Sequence, residues 1–360
     1  MEAMEAIDDF YSNLHMPLAL CLCIFGIIGH IIAIGVLTRM LNPTNLLLIS
    51  MSCSQLLLCI NFLYSTLYKY GSDQLCLSIL WSFELTSSLL ISVNLSVIVE
   101  MCGVFHVVAI SIIRYITLSK LSKTTSAQPW FTYSKCWKSL GIIYSSVLFI
   151  CIPLYFHSQV VEAVEDESCI SRYPYLSGRI NYRLSFAQNE LLQIANFWLF
   201  GSICKIIPCL ILCVMSVLLI GSLTRIREIA SRFASVSRDR QHHRTTKIIL
   251  VIMSLFICVE LPQGIIAMIQ GITIIPYQDF IGDLFEMLTL LTSCLIFALF
   301  CSMNSTLRTA FYEKICFLRF IWHRSQSVVK SDKMKHDFLE TSSVKETRSL
   351  VEWSTQKTDL

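Results

Sequence analysis

Apolar residues in this chain gather in long runs rather than in alternation. Seven runs, at about 17–39, 45–68, 83–113, 139–157, 196–224, 247–272 and 281–303, carry the pattern. Each is long enough for a membrane-crossing helix, since a hydrocarbon core of ~30 Å takes roughly 20 residues of helix. The runs recur at regular spacing, which predicts an all-α membrane protein built as a seven-helix bundle. The sixth run, KIILVIMSLFICVELPQGIIAMIQGIT from Lys247 to Thr273, holds Glu260 and Pro262 near its centre. A carboxylate at that depth is costly unless it faces the inside of a bundle. A buried polar site is therefore expected along with the membrane.

Composition agrees. Of 360 residues, 54% are hydrophobic and 15% are charged, against about 25% charged in soluble domains. Most of the sixteen cysteines lie inside the apolar runs, where a thiol acts as a small hydrophobe. No CxxC pair or Cys/His cluster at zinc spacing occurs. The first residues are acidic (Glu2, Glu5, Asp8, Asp9) and lack the basic region of a signal peptide. The first run is thus expected to be a retained span.

Lys and Arg set the expected orientation. They crowd the loop after the third run (Lys120, Lys123, Lys135, Lys138), the loop after the fifth (Arg225, Arg227, Arg232, Arg238, Arg240, Arg244) and the segment after the seventh (Arg308, Lys314, Arg319, Arg324). The amino terminus is then outside and the carboxyl terminus cytosolic, as in a multi-pass plasma-membrane protein. The 158–195 loop, long and mixed in charge, is the largest outer piece and is placed to cover the bundle mouth. Residues 1–16 form the outer terminus, 17–303 the bundle, 304–320 an amphipathic juxtamembrane helix and 321–360 a polar tail. An odd number of spans argues against the duplicated halves of a transporter. A channel would need a continuous polar lining, and the first, fourth and seventh spans are too apolar for one. No phosphate-cradling loop, catalytic constellation or metal set appears, so neither an enzyme nor a cofactor is expected, and no nucleic-acid partner.

The candidate chemistry sits within and beside the spans. Glu100, Lys205 and Glu260 are intramembrane, and Glu286 lies nearer the outside. Lys205 and Glu260 either lock two helices together or border a polar cavity for a ligand of complementary charge. Pro208 and Pro262 each remove a helix hydrogen bond and are candidate hinges. Arg114, followed by Tyr115 at the inner end of the third span, is either a positive-inside charge or a contact for a G protein as in rhodopsin-like receptors. Cys76 and Cys169, in outer loops, are candidates for a disulfide. Cys316 is either a palmitoylation site or a free thiol. The sequons at Asn94 and Asn304 fall in a span and on the cytosolic side, where glycosylation does not reach.

Several stretches resemble one receptor group. VLTRMLNPTNLLL (36–48), NFWLFGSICKIIPCLILCVMSVLLI (196–220), RTTKIILVIMSLFICVELPQGI (244–265), GDLFEMLTLL and FALFCSMNSTLRTAF (282–311) are similar to the myosuppressin/FMRFamide-like peptide receptors and the nematode serpentine class w group. The resemblance covers about residues 20–315, and its most specific pieces are KIIPC and ELPQGI. It implies a G-protein-coupled receptor whose ligand is an amidated FMRFamide-like peptide. The alternative is a receptor of the same fold for an environmental chemical. A peptide of this class brings an arginine and an aromatic end. Glu260, Glu286 and Asp283 are its expected acidic partners, with Glu100 and Lys205 in the polar cavity and Phe256 and Trp198 as apolar contacts. A heterotrimeric G protein is the expected inner partner, meeting Arg114, Tyr115, Arg244 and Lys247. The chain departs from the rhodopsin-like pattern at His30, Gln55, Thr292, Ile296 and Phe300, where Asn, Asp, Asn, Asn and Tyr are looked for. Ile113 stands where the acid of a D-R-Y triplet would be. These departures fall on the half of the bundle that couples inward.

Overall fold

The computed structural model describes residues 2–121, 130–156, 158–163, 167–174, 178, 180–186, 189–232, 236–273, 278–303 and 309. Its elements in chain order are α1 (Glu2–Leu37), α2 (Pro43–Lys69), α3 (Phe83–Leu121), α4 (Tyr133–Cys151), β1 (Ser158–Ala163), α5 (Glu167–Arg172), β2 (Asn181–Phe186), α6 (Glu190–Trp198), α7 (Ile207–Arg232), α8 (Val236–Gln270) and α9 (Gln278–Met303). Among the described residues seven helical segments are long and apolar enough to cross a membrane. Their outward faces are apolar: Ile142 and Phe149 on α4, and Leu210, Val214 and Val217 on α7, are exposed. In water such a belt would be a liability, whereas in lipid it is the solvated surface.

The helices outrun the apolar runs. α3 continues to Leu121 rather than stopping at 113, so Arg114 lies inside the helix and not at its end. The fourth span begins at Tyr133 and the fifth at Glu190, six residues earlier than the hydropathy places each of them. α1 starts at Glu2, within the stretch taken as a terminal segment, and runs through Pro17. Hydropathy measures the lipid-facing part of a helix. The backbone keeps its hydrogen bonds beyond that limit wherever propensity and packing allow. The segments 304–308 and 310–360, with Cys316, lie outside the described residues.

The fifth span changes register along its length. Between α6 and α7 the chain is π-helical over Leu199–Ile206, and the Ile207 N–H bonds to the Ser202 carbonyl. Pro208 is the second residue of α7. Having no N–H, it cannot close the usual bond, and the wider π turn upstream relieves that demand. The π stretch also brings the fifth and sixth spans into backbone contact. A Cβ on Gly201 would lie 2.7 Å from the Gly264 carbonyl, and one on Gly264 would lie 2.7 Å from Lys205 Cβ. Only glycine permits that approach, and it delivers Lys205 to the bundle interior.

At one end of the bundle β1 and β2 pair as an antiparallel hairpin, in register from Ser158 opposite Phe186 to Ala163 opposite Asn181. The hairpin rests on the start of α3. Thr86 donates to the Tyr182 carbonyl at 3.2 Å, and the rings of Phe83 and Tyr182 meet edge to face at 5.5 Å. A disulfide joins Cys76 to Cys169, with Trp81 packed against the pair. Arg172 adds a bond to the Gln74 carbonyl at 3.1 Å.

The glycine contact gives a paired test. Gly201→Ala should destabilise the purified receptor by about 1–3 kcal/mol, the usual cost of overpacking. Gly221→Ala, with nothing within 4 Å of its Cβ position, should be neutral or slightly stabilising because alanine favours helix. Thermal inactivation in detergent measures both; equal behaviour of the two variants would refute the tight contact.

Candidate functional site

Lys205 is the largest fully buried side chain among the described residues, at 0% exposure. An ammonium in that position needs an acceptor for each of its three N–H groups. It finds Glu100 Oε1 at 2.7 Å, Gln263 Oε1 at 2.7 Å, and Glu260 Oε2 in a shorter contact. The three acceptors come from two helices, Glu100 from α3 and both others from α8. The cation therefore fastens the third, fifth and sixth spans at one point. Gln263 passes the network on, donating to Thr289 Oγ1 at 3.2 Å on α9. The Phe200 ring lies 5.0 Å from the ammonium. The cluster sets two carboxylates against one ammonium, so its surroundings favour further positive charge.

A cavity of about 290 Å³ opens beside this cluster. Two carboxyl side chains, Glu100 and Glu286, reach its wall, together with Gln263, Gln270 and Thr289. Its apolar lining includes Phe62, Phe197, Phe200 and Phe285, with Val97, Ile266, Ala267 and Ile281. A wall of phenyl rings with a few convergent polar groups is the usual character of a ligand site. Of the residues expected at the ligand, Glu100 and Glu286 line this cavity and Lys205 and Glu260 lie behind its wall. Asp283 instead binds Lys69 Nζ, with both carboxylate oxygens at 3.0 Å. Phe256 is buried, at 4% exposure, and lines no part of the cavity. Trp198 also lies outside the lining, on α6 near Gly271. The phenylalanines of the wall escaped sequence reading because an apolar residue in an apolar run carries no mark of the direction it faces. Beyond Glu100 and Glu286, Gln263 carried a sequence signal of its own, directly after Pro262 in ELPQGI.

Toward the other end of the bundle, Arg114 donates from Nε to Thr246 Oγ1 at 3.3 Å. Thr246 belongs to α8, so this bond links the third span to the sixth. Lys247 is exposed. The Arg244 side chain lies outside the described residues.

The family model for the serpentine type seven-transmembrane GPCR chemoreceptor Srw matches residues 17–318. The chain belongs to the Srw family of G-protein-coupled receptors. It is also similar to the G-protein coupled receptor dmsr-1 of Caenorhabditis elegans, with 25% identity over an alignment 360 positions long that covers 87% of this chain and 70% of the relative. A multi-pass location in the plasma membrane follows from the family and the seven spans.

The middle of this Srw receptor shows how its departures from the rhodopsin-like pattern are accommodated. His30 of α1 shares its Nε2–H between the carbonyl of Ser293 at 3.2 Å and its hydroxyl at 3.1 Å. Cys59 Sγ lies 3.5 Å from the same hydroxyl. Ile296 and Phe300, which offer no polar group, are packed in the core. A second chain crosses α2, α3 and α4. His106 Nδ1 donates to the Cys102 carbonyl at 2.5 Å, so its Nε2 accepts from Ser50 Oγ at 2.9 Å, and that hydroxyl meets Tyr144 OH at 2.5 Å. His30 thus ties the first span to the seventh in place of the expected amide, and His106 adds a separate link among the second, third and fourth spans.

Removing the cation at the centre should be severe. Lys205→Met leaves Glu100 and Glu260 facing each other without a counter-charge, at about 3–5 kcal/mol for a broken buried pair. Surface expression should fall sharply. The double variant Lys205→Met/Glu260→Met, which removes charge from both sides, should recover much of it. Surface immunostaining and thermal inactivation read both; a well-expressed single variant would contradict the role of the cluster.

Proposed function

We propose that this receptor takes an amidated FMRFamide-like peptide in the cavity bordered by Glu100 and Glu286 and passes the signal to a heterotrimeric G protein. One observation carries the reading: two carboxylates and a set of phenyl rings converge on one cavity beside a buried cluster with more carboxylates than cations. A peptide of this class brings a guanidinium for the acids and aromatic side chains for the rings. Charge-assisted, two-pronged bonds between guanidinium and carboxylate are strong and directional.

The mechanism follows from the partners of Lys205. A guanidinium at Glu286 and Glu100 competes with Lys205 for Glu100. The fastening between the third span and the fifth and sixth then loosens. α8 carries Pro262 two residues beyond Glu260, where its hydrogen-bond ladder is already interrupted. Movement there separates Thr246 from Arg114, about 21 Å along α3 from Glu100 at the helical rise. Arg114, Tyr115, Arg244 and Lys247 are the residues offered to the G protein, at the cytosolic end set by the positive-inside rule. The ligand drives this change only by binding the open arrangement more tightly than the closed one.

A second reading has one observation in its favour, the description of the family as chemoreceptors. In it the same cavity takes a small environmental cation.

A screen of amidated peptides and small organic cations, read through a promiscuous G protein, separates the two. Peptides should activate at concentrations where small cations do not. Glu286→Gln should reduce peptide potency about 10- to 100-fold, or about 1.4–2.7 kcal/mol, with surface expression unchanged. Arg114→Ala should abolish G-protein activation while peptide still binds. Unchanged potency in Glu286→Gln would remove the acid from the ligand site.

A further inference from the structure

The mouth of the bundle holds a second set of converging side chains. His15 of α1 and Asp283 and Glu286 of α9 each direct one ligating atom into a common space, and these atoms all lie within 4.8 Å of one another. The set is held by packing just below it. Ala19 and Cys23, one and two turns along α1 from His15, are fully buried against Met287 and Leu290 of α9. Asp283 and Glu286, three residues apart, share one face of α9. The site already holds a cation, because Lys69 Nζ sits 3.0 Å from both oxygens of Asp283.

We propose that His15, Asp283 and Glu286 form a binding site for a divalent transition-metal ion of the Zn²⁺ type, with Lys69 as the cation it displaces. One imidazole and two carboxylates are a donor set suited to Zn²⁺, and the imidazole disfavours Ca²⁺ and Mg²⁺, which take oxygen ligands. Zn–N and Zn–O bonds of about 2.0–2.1 Å put tetrahedral ligands roughly 3.3 Å apart. The three donors therefore have to close by at most about 1.5 Å, within the reach of side-chain rotation. Two carboxylates and a metal dication balance without Lys69. Glu286 also lines the cavity, which leaves the fourth position open to water or to a ligand group. The ion would join the first and seventh spans. It would also withdraw Glu286 from a cationic ligand; this last coupling rests on the peptide reading above, whereas metal binding does not.

The test uses the purified full-length receptor without agonist. Zn²⁺ affinity is measured by competition with a chelating dye, and the Co²⁺ derivative is examined for its electronic spectrum. His15→Ala and Asp283→Asn should each weaken Zn²⁺ binding at least 10-fold, the scale seen when metal-site groups are removed. Lys69→Gln should tighten it, since the competing cation is gone. The Co²⁺ spectrum should show nitrogen and oxygen ligation without a thiolate charge-transfer band. Zn²⁺ binding that survives His15→Ala, or that weakens in Lys69→Gln, overturns the site. So does a strong thiolate band, which would assign the metal to the chain's many free cysteines. If His15→Ala fails to fold, His15→Gln serves as the replacement, with the same expected loss. A Zn²⁺-dependent fall in agonist potency then tests the coupling, and its absence with metal binding intact would count against the peptide reading alone.

Discussion

The ammonium of Lys205 sits where solvent does not reach, and its three N–H groups end on Glu100, Glu260 and Gln263. The cost of burying a charge leaves little freedom in how these groups are arranged. Each donor must be met, and the acceptors must come from neighbouring spans because the fifth span supplies none of them. The third, fifth and sixth spans are therefore positioned by one ion cluster more than by apolar contact, which in lipid provides little preference for one helix pairing over another.

Other features follow from that demand. The π-helical stretch at Leu199–Ile206 and the glycines at 201 and 264 bring the fifth and sixth spans close enough for Lys205 to reach Glu260. The mismatch in charge between two carboxylates and one ammonium makes the adjoining cavity receptive to cations. The same mismatch makes the cluster sensitive, since a competing cation draws on an acceptor that holds the bundle together. In the proposed mechanism, signalling and stability thus share one set of groups. Farther along α3, the bond from Arg114 to Thr246 joins the third span to the sixth through a charge and a neutral hydroxyl.

The number of spans, their order and the membrane setting were legible in the sequence because seven apolar runs of sufficient length leave few alternatives. Glu260 and Lys205 were legible as buried for the same reason: a charge in an apolar run has nowhere inexpensive to go except a partner. Glu100 was recognised as intramembrane, but its sharing of Lys205 with Glu260 was not, since nothing in a sequence states which of two acids faces a given lysine. The resemblance to class w receptors was carried by short pieces such as ELPQGI, and the family match rests on most of the chain. Helix ends were read too short at α3 and at the fourth and fifth spans, because hydropathy stops at the lipid boundary and hydrogen bonding does not.

What the sequence determined by itself was a membrane bundle with an expensive charge cluster inside it. That follows from local composition, which solvent and lipid act on directly. The tertiary structure decided the rest: that Asp283 turns to Lys69 rather than to the cavity, that Phe256 and Trp198 lie outside the cavity wall, that Phe62, Phe197, Phe200 and Phe285 form it, and that His15 meets Asp283 and Glu286 across more than 260 residues of chain. Direction around a helix that is apolar on every side is set by its neighbours, and only the packed bundle specifies them.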